Sequence, residues 1–437
     1  MISGSQVLIV GMGRSGQRAA HRALEQGATV TCTDLREDAP QIPGCRHTYG
    51  HHNQSDFLQA DQIIVSPGVP ARQPDLQAAM AAGIEVVGEL GAAAGALQER
   101  GVSMVAVTGT NGKSSVTHYC GALLAQAGKR VFVGGNIGRP LTDALTLDTP
   151  IDVAVVEVSS YQLELPGPLS PAVATILNLA PDHLGRHGDM ATYAAIKRRL
   201  FDRMAATGWA AIPSSDPTGL LQHGPTEAQL AWLDGSPGVC IEDDLVHLQG
   251  TPDDGTVSLD GLSLLGQHNR HNVATAIWMT ICAGAQRDTL DPSKLTALHH
   301  RLQPVHSAGG VSWVNDSKAT NVDAALVGIA GVSRPLVVLL GGQGKPGANY
   351  DRLRPLLQKR ARMVICFGQA GPDIAAALTG LPIIEVAQMS HAVESAASIA
   401  ESDDVVLLSP ACASFDEFTD FEARGHAFGL LAREMHP

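Results

Sequence analysis

Short apolar runs recur through the first ninety residues, at 7–10, 29–32, 62–65 and 85–87, with an amphipathic stretch at 16–26 between the first two. Strand-length apolar runs alternating with helix-length amphipathic ones predict a parallel sheet with helices on its faces, because parallel strands need long crossovers. The Ala/Gly-rich stretch 90–97 reads as a join to a second unit with strands at 104–107, 131–133, 153–156 and 173–177. Residues 207–265 scatter Pro, Gly and Asp among short strand-like pieces, which predicts loops and antiparallel strands on that unit's periphery. A second boundary falls in 295–304, and a third unit follows with strands at 311–314, 336–340, 363–367, 383–386 and 405–408.

With 437 residues the chain exceeds what one hydrophobic core supports, which agrees with several domains. The seven cysteines, at 32, 45, 120, 240, 282, 366 and 412, form no C-x-x-C pair and no zinc spacing, so reduced thiols are expected. The first ten residues lack a basic, then apolar, secretory pattern, and no run reaches membrane-spanning length. A cytoplasmic protein without membrane insertion is therefore the expectation. The net charge of −13, with no basic block, argues against a nucleic-acid surface. It leaves room for small anions, which a few local cations and helix N-termini can hold.

Gly109-Thr110-Asn111-Gly112-Lys113-Ser114 follows a strand and opens a helix expected over 115–127, stopped by Gly128. Glycines let the backbone turn so that its N–H groups point at phosphate oxygens, and the helix N-terminus adds positive potential. Lys113 would then pair with the β- and γ-phosphates of ATP and Ser114 would offer its hydroxyl to Mg²⁺, with Ser115 beside it. The full P-loop pattern is not met, since Val107 stands where its first glycine belongs. Glu157 follows the apolar run 152–156 and projects from the end of a strand, where α/β sheets bind ligands. His183 sits past another strand, and by itself such a histidine is more often a hydrogen-bonded structural residue than a ligand. In the first unit, Gly11-Met12-Gly13-Arg14-Ser15-Gly16, with Asp34 eighteen positions beyond Gly16, is a dinucleotide fingerprint that read bare suggests NAD.

The 109–114 loop, Gly135-Asn136-Ile137-Gly138, the segment from Glu157 to Leu163 and Asp182-His183 together resemble the ATP-binding centre of the Mur ligases. The resemblance runs on through Gly266-Gln267-His268-Asn269 and His300-Arg301. It ends in Asp316-Ser317-Lys318-Ala319-Thr320-Asn321 and Ser409-Pro410-Ala411-Cys412-Ala413-Ser414, which are similar to the motifs of the glutamate-adding branch. It implies a monomeric ligase that activates UDP-N-acetylmuramoyl-L-alanine with ATP as an acyl phosphate, which D-glutamate attacks. It also implies two Mg²⁺ ions, held by Ser114, Glu157, His183 and a carbamylated Lys197; from the sequence alone Lys197 is an exposed helical lysine. Asn269, Asn272, Arg301 and Asp316 become nucleotide contacts, and Asn136 with His183 faces the muramoyl substrate. Gly13, Arg14, Ser15, Asp34, Arg36, Ser66 and Gly68 would hold the uridine diphosphate. Lys318, Thr320, Lys345, Ser414 and Phe421 would hold glutamate, Ser414 from a helix N-terminus.

The expected fold is α/β in three domains. These are an N-terminal Rossmann-like domain (1–91, UDP-substrate), a central P-loop ATPase-type parallel sheet with peripheral antiparallel strands (92–296, ATP) and a C-terminal Rossmann-like domain (297–437, glutamate). The chain departs from the family where D-H-x-D-R-H is usual, carrying Gly185, and where P-H-R-x-E is usual, carrying His299 and Gln303. Three rival readings are a folylpolyglutamate synthase-like ligase, an NAD(P)-dependent oxidoreductase and a nucleotide-gated binding protein. The first lacks the motifs at 316–321 and 409–414, and the second leaves Lys113, Glu157 and His183 without work.

Overall fold

Val7, Leu8, Ile9 and Val10 are all buried, and a strand apolar on both faces is stable only inside a covered sheet. In the computed structural model, which describes residues 4–221 and 227–435, this strand is β1 (Gln6–Val10). It pairs within a sheet that also contains β2 (Thr29–Asp34), β3 (Arg46–Tyr49), β4 (Gln62–Val65) and β5 (Glu85–Gly88). The order is β3-β2-β1-β4-β5 and every pairing is parallel. The alanines of helix Arg14–Glu25 pack on one face, and Phe57, Leu76 and Ala79 on the other. Strand β3 was not anticipated, because Arg-His-Thr-Tyr at a sheet edge presents no apolar run.

The stretch 90–97, expected as a join, lies inside a largely buried helix, Glu89–Glu99, between β5 and the first strand of the next sheet. Its small residues allow close packing rather than flexibility. A Cβ on Gly91 would stand 2.3 Å from the Pro166 carbonyl oxygen, and one on Gly95 2.7 Å from the Pro168 ring.

A second sheet follows, of β6 (Ser103–Thr108), β7 (Val131–Gly135), β8 (Val153–Glu157), β9 (Val173–Ile176), β10 (Trp209–Pro213), β11 (Gln229–Leu233), β12 (Gly238–Glu242), β13 (Leu245–Gln249) and β14 (Gly255–Ser258). Its order is β14-β13-β12-β11-β10-β9-β6-β8-β7. Only the β12-β13 and β13-β14 pairs are antiparallel, so the expectation for 207–265 is half corrected: β10, β11 and β12 extend the parallel ladder. Those strands are short and no helix-length apolar segment separates them, which made them resemble loops. Buried Ala210, Ala211 and Ile212 nonetheless seat β10 against β9.

The chain divides into two compact units, Met1–Asp260 with Asn272–Pro292, and Gly261–His271 with Ser293–Pro437. The second carries β15 (Gln303–Ala308), β16 (Val311–Asn315), β17 (Leu336–Gly341), β18 (Ala361–Phe367), β19 (Ile383–Glu385) and β20 (Val405–Leu408), in the order β15-β16-β20-β17-β18-β19. All pairings are parallel except the β15-β16 hairpin. That hairpin turns through Gly309 and Gly310, both at positive φ, a glycine pair of the kind tight hairpins prefer.

Gly91→Ala is expected to cost about 1–3 kcal/mol, the usual penalty for forcing a methyl group against fixed atoms. Gly185→Ala, with nothing within 4 Å of its added Cβ, should change little. Denaturant midpoints of the two variants check the contrast.

Candidate active site

Strand β6 lies between β9 and β8, and β7 lies beyond β8, so the carboxyl ends of four parallel strands line up. After β6 the chain turns through Gly109 (φ +147°) and Gly112 (φ +85°) into helix Lys113–Gln126. Side chains avoid such angles, and a Cβ on Gly112 would stand 2.8 Å from Asn272 Oδ1. Asn178, after β9, braces the loop: its Oδ1 accepts from Asn111 N at 2.9 Å and its Nδ2 donates to Asn111 O at 3.1 Å. Thr110 Oγ1 accepts from Ala180 N at 3.0 Å and lies 3.2 Å from the Tyr193 hydroxyl. Ser114 and Ser115 are buried in the first turn.

Lys113 curls back over this loop, its Nζ donating to Gly109 O at 3.0 Å and Thr110 O at 2.8 Å. Lys197 corrects its expectation outright: it is 1 % exposed, not a surface lysine. The helix Met190–Arg198 turns it inward, where Nζ donates to the same Gly109 O at 2.8 Å and lies 4.6 Å from the Tyr193 ring centroid. Burial, reinforced by the Lys113 ammonium nearby, holds its pKa well below the usual lysine value.

Glu157 ends β8 and is buried; its Oε1 accepts from Asn136 Nδ2 at 2.6 Å, and Asn136 N donates to Glu157 O at 2.9 Å. The carboxylate and the Ser114 hydroxyl are hard oxygen donors of the type Mg²⁺ takes. Among the described residues no three His, Cys, Asp or Glu side chains gather as a cage. A Mg²⁺ ion there would take its remaining ligands from phosphate oxygens and water. His183, in the left-handed region (φ +55°), has its Nδ1 3.1 Å from the Tyr161 hydroxyl and its Nε2 3.5 Å from Asp182.

In the first sheet, Gly13, Arg14, Ser15, Asp34, Arg36, Ser66 and Gly68 line one cleft of about 480 Å³. It sits over β1 and β4, where the strand order reverses, as ligand sites in such sheets do. Gly16 has glycine's close-packing role, since a Cβ there would meet Gly11 O at 1.9 Å. The NAD reading weakens at Asp34. Its Oδ2 accepts from Met12 N at 2.7 Å and Arg36 Nη2 at 3.0 Å, and its Oδ1 from Arg36 N at 2.9 Å. Partial burial raises its pKa, but the Arg36 guanidinium and these N–H groups outweigh that and bring it to about 2. This carboxylate is already spent on the loop and on Arg36 rather than open to ribose hydroxyls.

In the C-terminal unit the sites gather past β16, β20 and β17, three adjacent parallel strands. Lys318 Nζ stands 3.6 Å from the centroid of the Phe421 ring, with Thr320 two residues on. Gln343 and Ala413 bridge the loops that carry Lys345 and Ser414, at 2.8 and 2.9 Å; Gly342 permits it, since a Cβ there would meet Ala413 O at 2.2 Å. Ser414 is not at a helix N-terminus. It lies buried in a turn, its carbonyl accepting from Phe418 N, and the helix Phe421–Met435 begins after Asp420, whose Oδ1 accepts from Ala423 N at 2.7 Å. Arg301 is flanked by His300 (φ +63°) and Leu302 (φ +41°), and Asp316 accepts from Leu302 N and Ser409 Oγ. Asn269 is buried, its Nδ2 donating to Leu265 O.

Comparison with known proteins accounts for this arrangement. Residues 5–88 match the Mur ligase MurD-like N-terminal domain, 107–280 the Mur ligase middle domain and 300–412 the Mur ligase glutamate ligase domain. A UDP-N-acetylmuramoylalanine--D-glutamate ligase of Anaeromyxobacter dehalogenans is 39 % identical over 99 % of this chain and 98 % of its own. The protein of that name from Koribacter versatilis is 35 % identical with the same coverage. The chain belongs to the Mur ligase family. MurF of Acinetobacter baumannii, at 16 % identity, shares its fold with a TM-score of 0.62 over 99 % of this chain and 91 % of that one.

Two residues of this Mur ligase had no role assigned from the sequence. Asn178 is one, and the pattern strand-end Asn beside a glycine loop is a signal that could have found it. The other is Arg424, 0 % exposed, which ties two loops of the C-terminal site to helix Phe421–Met435. Its Nε donates to Ser317 Oγ at 2.9 Å, and its Nη atoms to Ser317 O at 2.8 Å, Cys412 O at 3.1 Å and Ala413 O at 3.1 Å. Burial lowers its pKa to about 10.

Asn178→Ala removes both bonds to Asn111 and, at about 1 kcal/mol each, is expected to weaken nucleotide binding roughly tenfold or more by calorimetric titration with ADP. Burial pushes the Asp316 carboxyl up to about 7. The folded unit thus holds this proton more tightly than the unfolded chain, so its stability falls as pH rises from the ordinary 3.8 to about 7 and then levels off. Asp316→Asn should flatten that slope in denaturant unfolding measured across the same range.

Proposed function

We propose that this Mur ligase uses ATP to join D-glutamate to UDP-N-acetylmuramoyl-L-alanine in the cytoplasm, for peptidoglycan synthesis, releasing ADP and phosphate. The observation that carries the reading is the 109–114 loop, a braced glycine turn at a helix N-terminus with Lys113 and Lys197 both on Gly109 O. Residues 1–91 hold the uridine diphosphate, 92–296 the ATP and 297–437 the glutamate, and the enzyme works as a monomer.

The loop N–H groups and Lys113 hold the β- and γ-phosphates. Positive groups fixed before the reaction stabilise the charge that builds on phosphoryl oxygens as the muramoyl carboxylate attacks. Asn136, fastened to Glu157, faces that carboxylate. Ser114 and Glu157 would hold one Mg²⁺ ion, and His183 and a carbamylated Lys197 a second, which would supply further charge neutralisation. The lowered pKa of Lys197 supports this modification. Its neutral amine can add to CO₂, forming an N–C bond and releasing one proton, which replaces a buried cation with an anionic oxygen donor. The acyl phosphate then meets the glutamate amine, with Lys318, Thr320, Lys345, Ser414 and Phe421 orienting the amino acid.

Phosphate release measured with each reactant omitted in turn tests the reading, and it is expected to require ATP, the muramoyl nucleotide and D-glutamate together. Activity without the muramoyl nucleotide would refute it, and a preference for L-glutamate would overturn the stereochemistry. Lys113→Ala should lower turnover by on the order of 10³ while leaving binding of the uridine nucleotide intact.

A further inference from the structure

Arg186 lies three residues after His183, past the short helix start at Leu184, and its guanidinium is engaged on every side. Its Nε and Nη2 grip the Glu164 carboxylate at 2.7 and 2.9 Å. Its other hydrogens go to the first sheet: Nη1 donates to Gly68 O at 3.0 Å, and Nη2 to Val69 O at 3.0 Å and Pro67 O at 3.4 Å. Glu164 reaches the same segment, accepting from Ala71 N at 3.0 Å. The loop held in this way is the one after β4 that lines the uridine diphosphate cleft.

The flat face of the guanidinium lies 4.7 Å from the centroid of the Tyr161 ring. That ring stands 4.9 Å from the His183 imidazole, and its hydroxyl lies 3.1 Å from His183 Nδ1. One continuous set of contacts therefore runs from three carbonyls of the cleft, through a bidentate arginine and an aromatic ring, to the imidazole. Side chains this fully engaged have one geometry.

Resting on the function proposed above, we infer that Arg186, backed by Glu164 and Tyr161, is a positioning residue that registers the uridine diphosphate loop against His183. It sets how far the tethered muramoyl carboxylate extends toward the phosphate loop. Arg186 touches no reacting atom; it fixes the distance between the cleft that holds the nucleotide end of the substrate and the imidazole that meets the other end.

Arg186→Lys keeps the charge but cannot make the fork. It is expected to raise the KM for UDP-N-acetylmuramoyl-L-alanine and lower kcat, each about tenfold, with the KM values for ATP and D-glutamate and the melting temperature unchanged. Tyr161→Phe keeps the ring under the guanidinium and loses only the hydroxyl on His183, so it should lower kcat and leave that KM alone. The melting temperature guards against mere misfolding; if Arg186→Lys unfolds, the kcat of Tyr161→Phe decides. Wild-type kinetics in both variants, or a rise in all three KM values together, overturns the inference. Calorimetric titration of UDP separates the two proposals. Wild-type protein that binds UDP but ligates nothing refutes the function, while weaker UDP binding in Arg186→Lys still upholds the positioning role of Arg186.

Discussion

Two ammonium groups, carried by the start of one helix and the end of another, converge on the carbonyl oxygen of Gly109. One of them is almost wholly buried, and burial and like charge both disfavour it. The neighbouring backbone adds to the imbalance, since the loop opens a helix whose first N–H groups carry positive potential. Glu157 and Asp182 offset part of this positive charge, and burial still outweighs them at Lys197. The overall charge of −13 has no bearing here, because a handful of fixed cations decide the local potential. The loop around Gly109 is held by the positive φ values of Gly109 and Gly112, by the two bonds between Asn178 and Asn111 and by the Tyr193 hydroxyl beside Thr110 Oγ1.

Motif spacing made most of this legible in the sequence, because glycine turns and strand ends are local features that the chain writes in order. The residues of the 109–114 loop, Glu157 and the two glycine-rich turns needed no tertiary knowledge to be singled out. What stayed hidden depends on which way a helix faces. Lys197 ends Met190–Arg198 beside Arg198 and Arg199, which do reach solvent, and nothing in the helix marks it as the inward one. Arg424 was hidden in the same way in Phe421–Met435, where a glutamate and a histidine suggest a solvated face. Ser414 shows the opposite error. A small polar residue before an acidic stretch imitates a helix start, but Asp420 caps that helix, and the buried turn around Ser414 is set by contacts from distant loops.

The dinucleotide fingerprint illustrates how one loop design serves different ligands. Gly11 and Gly16 do what such glycines do anywhere, bringing strand, turn and helix within van der Waals range. The difference lies at the acidic residue. Where a free carboxylate would accept ribose hydroxyls, Asp34 is saturated by Met12 N and by Arg36, and the group presented to the cleft becomes a guanidinium on a fixed carboxylate. That exchange is visible only once the hydrogen bonds are counted.

The departures from the family pattern follow the same logic. Gly185 takes the place of an aspartate in the segment between Asp182 and His187, yet no atom stands within 4 Å of where its side chain would begin. Its neighbours at 183, 186 and 187 are different: His183 meets the Tyr161 hydroxyl, Arg186 holds the cleft loop and His187 Nε2 lies 3.0 Å from Ser160 Oγ. Of these, His187 is buried and Arg186 half-buried, while His183 caps the short helix and is exposed, as is position 185. The substitution therefore falls on a position whose first side-chain atom would meet nothing outside its own helix, and the contacts made by Arg186 and His187 stay whole.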